Sequence, residues 1–313
     1  MDLKQLEYMI KIAEENNITK AAEKLFITQS ALNQQLLKLE KELGTQLFVR
    51  SRTNWHPTQA GEIYVENAKK MVRIKKDTYN QINDLLDIKK GKLSIGLTPE
   101  RGPEMFASIY PAFYKKYPNI KVEPIELPVK QQQHEISIGN LDIGFVTLQD
   151  YQKTNDEYIQ IGLEEIILAV PKGHPLARIG GKLGDTLPEI SLDRFKNDTF
   201  ALMQKGSTLR EIYDKLTNAE DFNPYILLET RSCHNLYNMV AEGICCSIIP
   251  IAYAKQNSNV AYFLIKQKPV WEVCASYKKG TYLSNPARDF IKIASNYWSS
   301  EFSRAFLGDK RNS

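Results

Sequence analysis

Four polar side chains near residue 30 have the types and the spacing of a surface that could read DNA bases. They are Gln29, Ser30, Asn33 and Gln34. Positions 29 and 33, like 30 and 34, differ by four, so on a helix each pair projects from one face. Asn and Gln can donate and accept at once, which suits a bidentate contact with the adenine edge in the major groove. The alternative, an ordinary solvated helix face, stays open for the helix taken alone.

Two short helices joined by a tight turn are predicted to position these side chains. Asn17 and Thr28 each precede an apolar-periodic run, where a short side-chain oxygen can accept from the free amides of the first helical turn. The residues expected to bury the two helices against each other are Ala21, Ala22, Leu25, Leu32, Leu36 and Leu39. This layout places the start of the second helix in the DNA major groove, so we interpret the chain as a sequence-specific DNA binder.

A basic turn follows the second helix and has the character of a wing. Gly44 is expected to end the helix, and residues 47–49 to close the small core before the turn from Arg50 to Thr53 leads towards Trp55. Cations and hydroxyls in such a turn can bind phosphates, which fixes the register of the reading helix. The predicted DNA-binding residues are Asn17, Thr19, Thr28, Gln29, Ser30, Asn33, Gln34, Lys38, Arg50, Arg52 and Thr53.

The segment from Ala21 to Gly61 resembles the LysR-type transcriptional regulators. That family carries an Ala-Ala pair, a Ser-Gln-Pro-Ala-Leu-Ser helix start, a Leu-Glu-x-x-Leu-Gly-x-x-Leu-Phe-x-Arg stretch and a Leu-Thr-x-Ala-Gly close. The corresponding segments here are residues 21–22, 28–33, 39–50 and 57–61. The chain departs from the pattern at Ser30, Asn33 and Pro57. Two of these departures lie on the predicted reading face, where they bear on the operator sequence.

One long helix is predicted from Gly61 to about Leu86, where the sequence has no proline and no internal glycine. Its apolar residues recur at three- and four-residue steps: Val65, Ala68, Val72, Tyr79, Ile82 and Leu86. The helix spans roughly 40 Å, too long for a small head to bury, so we predict that this stripe pairs with a second copy. An amphipathic helix lying on its own body is the alternative. The resemblance implies that it pairs two heads, in a homodimer or homotetramer, on a two-fold symmetric operator.

Strands alternating with helices after a charged hinge predict an α/β body with parallel sheet. The resemblance adds that this body is a two-lobed sensor like a periplasmic binding protein, on motifs at residues 139–145, 171–176, 206–210 and 240–250. The predicted divisions are a winged helix-turn-helix domain (1–60), a linker helix (61–88), a hinge (89–92), lobe I (93–161 and 266–308), lobe II (162–265) and a disordered tail (309–313). The chain is expected to cross between the lobes near Ile161 and near Lys266.

The groove between the lobes is the expected site of a small-molecule effector, because ligands of open α/β sheets bind at the carboxyl ends of strands. The predicted effector-binding residues are Thr98, Pro99, Lys130, Gln131, Thr147, Met203 and Gln204. Hydroxyls, amides, one ammonium and helix amino ends favour an anionic or zwitterionic effector. The alternative is that these are routine turn and cap residues. Effector binding would shift the pose of the lobes and so the spacing of the heads on DNA.

Composition agrees with a cytoplasmic regulator that works without metal or cofactor. The chain has 313 residues and a net charge of +4, no apolar run long enough to span a membrane and no secretory signal at its start. Its four cysteines include no Cys-x-x-Cys pair, so neither a disulfide framework nor a zinc site is expected. Cys233, Cys245, Cys246 and Cys274 are expected to pack as small apolar residues.

Three other functions are weighed against this interpretation. An enzyme is disfavoured because there is no glycine-rich phosphate loop and none of the four histidines (His56, His134, His174 and His234) lies in a nucleophile pattern. A transport-type solute receptor is disfavoured by the predicted DNA-binding head. A thiol redox sensor is disfavoured because Ser207 and Thr208 stand where the peroxide-sensing branch of the family carries its cysteine. Besides DNA, the effector and a second copy of the chain, the resemblance to the LysR-type regulators implies RNA polymerase as a further partner.

Overall fold

The computed structural model describes residues 2–51, 54–218 and 224–307. Within it the chain forms two compact units. The first runs to Ile88 and includes the short segment Thr281–Ser284, and the second contains the other described residues. The sequence did not predict that residues 281–284 belong to the first unit. No described helix is both long enough and apolar enough to cross a lipid bilayer.

The first unit is a helical head with a small hairpin and a long helix. Its elements are α1 (Leu3–Glu15), α2 (Ile18–Lys24), α3 (Gln29–Leu43), β1 (Phe48–Val49), β2 (His56–Pro57) and α4 (Gln59–Leu85). The predicted caps are confirmed. The Asn17 side chain accepts from the amides of Thr19 and Lys20, and Thr28 accepts from that of Ala31. Gly44 ends α3 with φ +70°, a conformation that glycine adopts without strain.

The head core lies where the two short helices cross. Leu32 and Leu36 are completely buried, as is Ala21, so the predicted inward faces of α2 and α3 are confirmed. Phe48 is also completely buried, but its neighbour Val49 is 43% exposed. The prediction that Val49 closes the core was therefore wrong, because successive strand residues point to opposite sides.

Glycine at position 61 is required by close packing between the hairpin and α4. A Cβ atom there would lie 1.9 Å from the carbonyl oxygen of Leu47, closer than any real contact. The same carbonyl accepts a hydrogen bond from the Thr58 amide at 2.9 Å. The start of α4 is thereby fixed against the residue before β1, which accounts physically for the Thr-x-Ala-Gly segment.

The stripe assigned to dimerisation divides into two parts on α4. Val65 and Ala68 are buried inside the head unit, where α4 packs along α1. Their assignment as dimer contacts is corrected, because their burial needs no second chain. Tyr79 is 61% exposed, Ile82 47% and Leu86, just beyond the helix end, 61%. The second part of the stripe, together with half-buried Val72, is therefore the part that stays accessible to a second copy.

The second unit is a two-lobed α/β structure. Its elements are β3 (Lys90–Leu97), α5 (Arg101–Lys116), β4 (Asn119–Glu126), α6 (Val129–Ile138), β5 (Ile143–Leu148), β6 (Glu157–Pro171), β7 (Glu189–Ile190), β8 (Thr199–Met203), α7 (Thr208–Asn218), β9 (Tyr225–Thr230), α8 (Cys233–Ala241), β10 (Ser247–Pro250), β11 (Val260–Ile265), β12 (Val270–Tyr277) and α9 (Asn285–Leu307). The predicted hinge at 89–92 is corrected, since β3 already begins at Lys90.

Strand β6 runs through both lobes and forms the first crossing between them. The sheet has the order β4-β3-β5-β12-β6-β11-β7, with β10 also paired to β6. In lobe I, β3 is parallel to β4 and β5, and β12 is antiparallel to β5 and β6. Strand β6 pairs with β12 up to Glu165 and with β10 from Ile166 onward. The crossing thus occurs at residues 165–166, later than the position near Ile161 that the sequence indicated.

Candidate functional site

The start of α3 presents polar side chains to solvent. Gln29, Ser30 and Gln34 are exposed and Asn33 is half-buried, while Leu32 and Leu36 on the opposite side fill the core. The Ser30 hydroxyl lies 3.1 Å from that of Thr28, which caps the helix. The four predicted reading residues therefore share a rigid helix whose orientation is fixed by buried leucines. Such a surface can offer amide and hydroxyl groups to base edges.

The other predicted head residues fall into different roles. The side-chain oxygens of Asn17 and Thr28 accept hydrogen bonds at the starts of α2 and α3, so these residues hold the helices in place. Thr19 and Lys38 are exposed. Lys20 and Lys24 on α2 are exposed as well and could contact phosphates. The sequence reasoning missed these two lysines, although their place on the first helix of the motif was a usable signal.

Arg50, a predicted phosphate contact, forms an ion pair inside the head. Its guanidinium donates to the carboxylate of Glu40, which is only 7% exposed. The second Glu40 oxygen accepts from the Leu47 amide at 2.8 Å. Arg50 also lies over the Trp55 ring, with its guanidinium carbon 5.8 Å from the ring centroid. A buried carboxylate requires such a cation, so Arg50 is part of the head structure. Arg52 and Thr53, the other predicted wing contacts, lie outside the described residues.

In the body, the ends of two parallel strands meet lobe II. Thr98 follows β3 and Thr147 lies near the end of the neighbouring strand β5, where Leu97 is in register with Phe145. The carbonyl of Thr147 accepts a hydrogen bond of 2.8 Å from the hydroxyl of Thr208, the first residue of α7. The structure thus brings Thr147 to the lobe interface, and Thr208 fills the position beside it. Pro99, next to Thr98, is exposed.

Lys130 also reaches across to lobe II. Its ammonium lies 2.9 Å from the Glu211 carboxylate on α7. Glu211 accepts in addition from the side chains of Gln152 at 2.6 Å and Tyr151 at 3.4 Å. Gln131, the next predicted residue, is exposed. An open cavity of about 490 Å³ lies beside Lys130, lined by Lys130, Gln133, His134, Ser137, Thr154, Asn155, Asp156, Lys278 and Lys279.

The two predicted residues of lobe II lie at the end of β8. Met203 is half-buried, and its sulfur is 3.9 Å from that of Cys233. The Gln204 side-chain oxygen accepts from Arg231 at 2.6 Å. Nearby, Arg210 donates to the Met203 carbonyl at 3.3 Å and to the Glu229 carboxylate at 2.5 Å. This hydrogen bond from Arg210 lowers the pKa of the Glu229 carboxyl.

Glu100 is a cleft residue that the sequence reasoning missed. Its carboxylate accepts from the Cys233 amide, at the start of α8, at 2.8 Å, and lies 3.4 Å from the Tyr253 hydroxyl. Its backbone has φ +68° and ψ −71°, and the amide of Arg101 donates to the carbonyl of Pro99 across it at 3.0 Å. This is a γ-turn with positive φ, a rare and strained conformation. The turn after Thr98 and Pro99 was the available signal.

A buried ion pair stands at the crossing between the lobes and was also missed. Glu164 on β6 is 1% exposed and accepts from the guanidinium of Arg101. It also accepts from the Trp271 indole at 2.7 Å and from the Ala252 amide at 3.1 Å. The guanidinium carbon of Arg101 lies 4.2 Å from the Trp298 ring centroid. Groups from both lobes therefore share one buried carboxylate.

All four cysteines are buried, as predicted, and none is in a disulfide. Burial raises the pKa of the Cys246 and Cys274 thiols to about 12 and also raises those of Cys233 and Cys245. Thiolates, the reactive form, are therefore strongly disfavoured at neutral pH. Among the described residues no group of His, Cys, Asp and Glu side chains is arranged to hold a metal ion.

Both units match families of known proteins. The family described as LysR substrate binding domain matches residues 87–299, and the bacterial regulatory helix-turn-helix protein, lysR family, matches residues 3–62. An uncharacterized HTH-type transcriptional regulator of Bacillus subtilis, YcgK, is 28% identical, with 99% of each chain covered. Full-length OxyR from Pseudomonas aeruginosa, at 20% identity, has a TM-score of 0.69 and covers 95% of this chain and 94% of its own. Full-length CbnR in complex with its target DNA has a TM-score of 0.55 at 19% identity, covering 95% and 99%.

Proposed function

Because the chain belongs to the LysR family of transcriptional regulators, we propose that α3 reads an operator in the DNA major groove while a small effector between the lobes controls the output. The head supplies the helix-turn-helix and the body supplies the effector-binding domain of such a regulator. The exposed start of α3 carries the proposal. Gln29, Ser30 and Gln34 are exposed on a capped helix that Leu32, Leu36 and Leu39 bury on its other side, so no described residue of the head covers that face.

Contacts to phosphate and contacts to bases are divided among different residues. Thr19, Lys20 and Lys38 are exposed and can position the head on the backbone, whereas the amides of α3 face the groove. Arg50 serves the head by neutralising Glu40. Sequence preference then comes from the start of α3, and phosphate affinity comes from the lysines.

Two heads act together through the exposed part of α4. The side chains of Tyr79 and Ile82 are accessible on a helix of 27 residues, and that of Leu86 is accessible at the residue that follows it. Burying them against the same residues of a second copy gives a two-fold arrangement, which matches two half-sites of opposite orientation. CbnR, which shares the fold, has been seen in complex with its target DNA.

The effector is an anionic or zwitterionic small molecule that binds at the lobe interface. The shift of the lobes that follows alters the interaction of the regulator with RNA polymerase. The contacts that join the lobes at this interface include Thr208 with Thr147, Lys130 with Glu211, and Glu100 with the Cys233 amide. A small carboxylate can take the place of Glu211 on Lys130 or of Glu100 at the start of α8. The effector can shift the equilibrium between two arrangements of the lobes only by the difference between its affinities for them.

The experiment for the DNA proposal recovers duplexes bound by the full-length protein from a random library and footprints the recovered site. Two protected half-sites of the same sequence in opposite orientation are expected, centred a whole number of helical turns apart. Recovery of no preferred sequence, or a single protected half-site, contradicts the proposal.

The experiment for the effector follows the thermal unfolding of the protein with small carboxylates, amino acids and their neutral amides. A binder of the folded state raises the unfolding midpoint. A carboxylate or amino acid is expected to raise it more than its amide, and Lys130→Ala is expected to weaken that effect while Lys115→Ala, a change of an exposed lysine on α5, leaves it intact. Equal effects of acids and amides contradict an anionic effector.

A thiol redox sensor is the alternative function, since OxyR shares the fold. Ser207 and Thr208 occupy the start of α7, and the Thr208 hydroxyl is bonded to the Thr147 carbonyl. The four thiols are buried and have raised pKa values. The small-molecule effector is therefore the function that the site supports better.

A further inference from the structure

Phe26 is a large apolar side chain left in solvent beside the reading helix. It lies in the turn between α2 and α3 and is 94% exposed. Its neighbours Leu25 and Ile27 are both partly buried against the head core. The chain therefore directs residues 25 and 27 inward and residue 26 outward. The ring gains almost nothing from folding of the head, because burial is what makes an aromatic side chain stabilising.

The backbone at this position is unfavourable for phenylalanine. Phe26 has φ +55°, in the left-handed region that glycine and asparagine adopt readily. The turn is closed by hydrogen bonds of 3.1 Å from the Phe26 amide to the Glu23 carbonyl and from the Ile27 amide to the Ala22 carbonyl. A residue chosen only for this turn would be glycine or asparagine. A phenylalanine here is disfavoured both by its exposure and by its backbone.

The distance from Phe26 to the start of α3 places its ring at the DNA. Gln29 is three residues further along the chain, so the two Cα atoms are at most about 10 Å apart. The major groove is about 12 Å wide. If α3 enters the groove at Gln29, an exposed ring this close stands at the edge of the same groove. Phenylalanine has no hydrogen bonds to offer, but it can pack on the C5-methyl group of thymine.

We propose that Phe26 is a specificity-determining residue of the operator contact, which packs on a thymine methyl group at the edge of the groove read by α3. This rests on the proposed role of α3. The observations that carry it are the 94% exposure of the ring and its continuity with the reading face. DNA is the occupant because the exposed residues on either side of Phe26 in the chain include a cation of α2, Lys24, and the polar residues that start the reading helix, Thr28, Gln29 and Ser30.

The test replaces each thymine of the recovered operator in turn by deoxyuridine, which removes only the methyl group. Binding of the full-length protein is compared with that of Phe26→Asn, which suits the left-handed backbone, and of Leu43→Gln. Leu43 is 45% exposed at the far end of α3, roughly 20 Å from Gln29 at 1.5 Å per residue, and serves as the matched control.

The wild type is expected to lose about fourfold in affinity at one thymine per half-site, since a buried methyl group contributes about 0.8 kcal/mol. Phe26→Asn is expected to bind the thymine and deoxyuridine duplexes equally, whereas Leu43→Gln keeps the wild-type difference. If Phe26→Asn loses as much affinity as the wild type when that thymine is replaced by deoxyuridine, the proposal is overturned. So does a wild-type scan without any sensitive thymine, which needs no variant to fold. Failure of the wild type to select any operator would instead refute the role of α3.

Discussion

Replacing Arg50 by alanine separates the two roles that this arginine could have. The sequence predicts a phosphate contact in the wing, whereas the structure pairs Arg50 with a carboxylate that is 7% exposed. Removing the guanidinium leaves one Glu40 oxygen without its cation, although the other still accepts from the Leu47 amide at 2.8 Å. Removing one member of a fully buried ion pair costs about 3–5 kcal/mol, whereas leaving a buried polar group without its hydrogen-bond partner costs about 1–3 kcal/mol. The side chain of Arg50 is 34% exposed, which keeps the expected loss within that range and below the value of a fully buried pair.

The assay follows urea unfolding of the head through Trp55. The chain has three tryptophans, so Trp271→Phe and Trp298→Phe leave Trp55 as the only reporter in both the reference and the variant. We expect Arg50→Ala to lower the unfolding midpoint with little change in slope. Lys38→Ala, which changes an exposed cation on α3, should stay within about 0.5 kcal/mol of the reference.

A double variant identifies the partner. If Arg50 acts through Glu40, then Glu40→Gln combined with Arg50→Ala should lose less stability than the sum of the two single changes. The reasoning is refuted if Arg50→Ala leaves the stability of the head unchanged and instead flattens the salt dependence of DNA binding by about one phosphate contact. That result would restore the wing contact that the sequence predicts.

Three further predictions concern packing and charge. Gly61→Ala should destabilise the head by about 1–3 kcal/mol in chemical unfolding, because the new Cβ would lie 1.9 Å from the Leu47 carbonyl oxygen, and an unchanged midpoint would show that α4 is not fixed there. Glu164→Gln should cost the body about 3–5 kcal/mol in thermal unfolding, because Arg101 would be left buried without its carboxylate, whereas Glu126→Gln at an exposed site should cost almost nothing. At pH 8 a thiol of pKa about 12 is thiolate in about one molecule in ten thousand, so Cys246 and Cys274 should resist iodoacetamide until the protein is denatured; rapid labelling in the native state would revive a redox role.

The sequence predicts the helical head well because its signals are local. Capping by Asn17 and Thr28 depends on amides two or three residues away, and the leucines of α3 repeat at helical spacing. The ion pair of Arg50 was not predicted because its partner Glu40 is ten residues distant and is reached only after the chain has turned at Gly44. No short-range pattern distinguishes a buried carboxylate from an exposed one.

The body shows the same limit over longer distances. Strands and helices were predictable from apolar runs, but the side chain of Glu211 meets Lys130 from another lobe, 81 positions along the chain. Glu100 meets the Cys233 amide across 133 positions. The γ-turn at Glu100 is likewise set by these contacts, since glutamate has no intrinsic preference for positive φ. Residues at the strand ends could therefore be predicted, but the groups that face them could not.

The base preference of Gln34→Ala tests the central claim most directly. The variant and the wild type are titrated with the recovered operator and with every single-base change in one half-site, using Lys38→Ala as the control for phosphate contacts. We predict that Gln34→Ala loses about 1–3 kcal/mol on the operator and becomes indifferent to the base at one position, while Lys38→Ala weakens all duplexes alike. Uniform weakening by Gln34→Ala, with every base preference retained, would contradict the claim that the exposed start of α3 reads the operator.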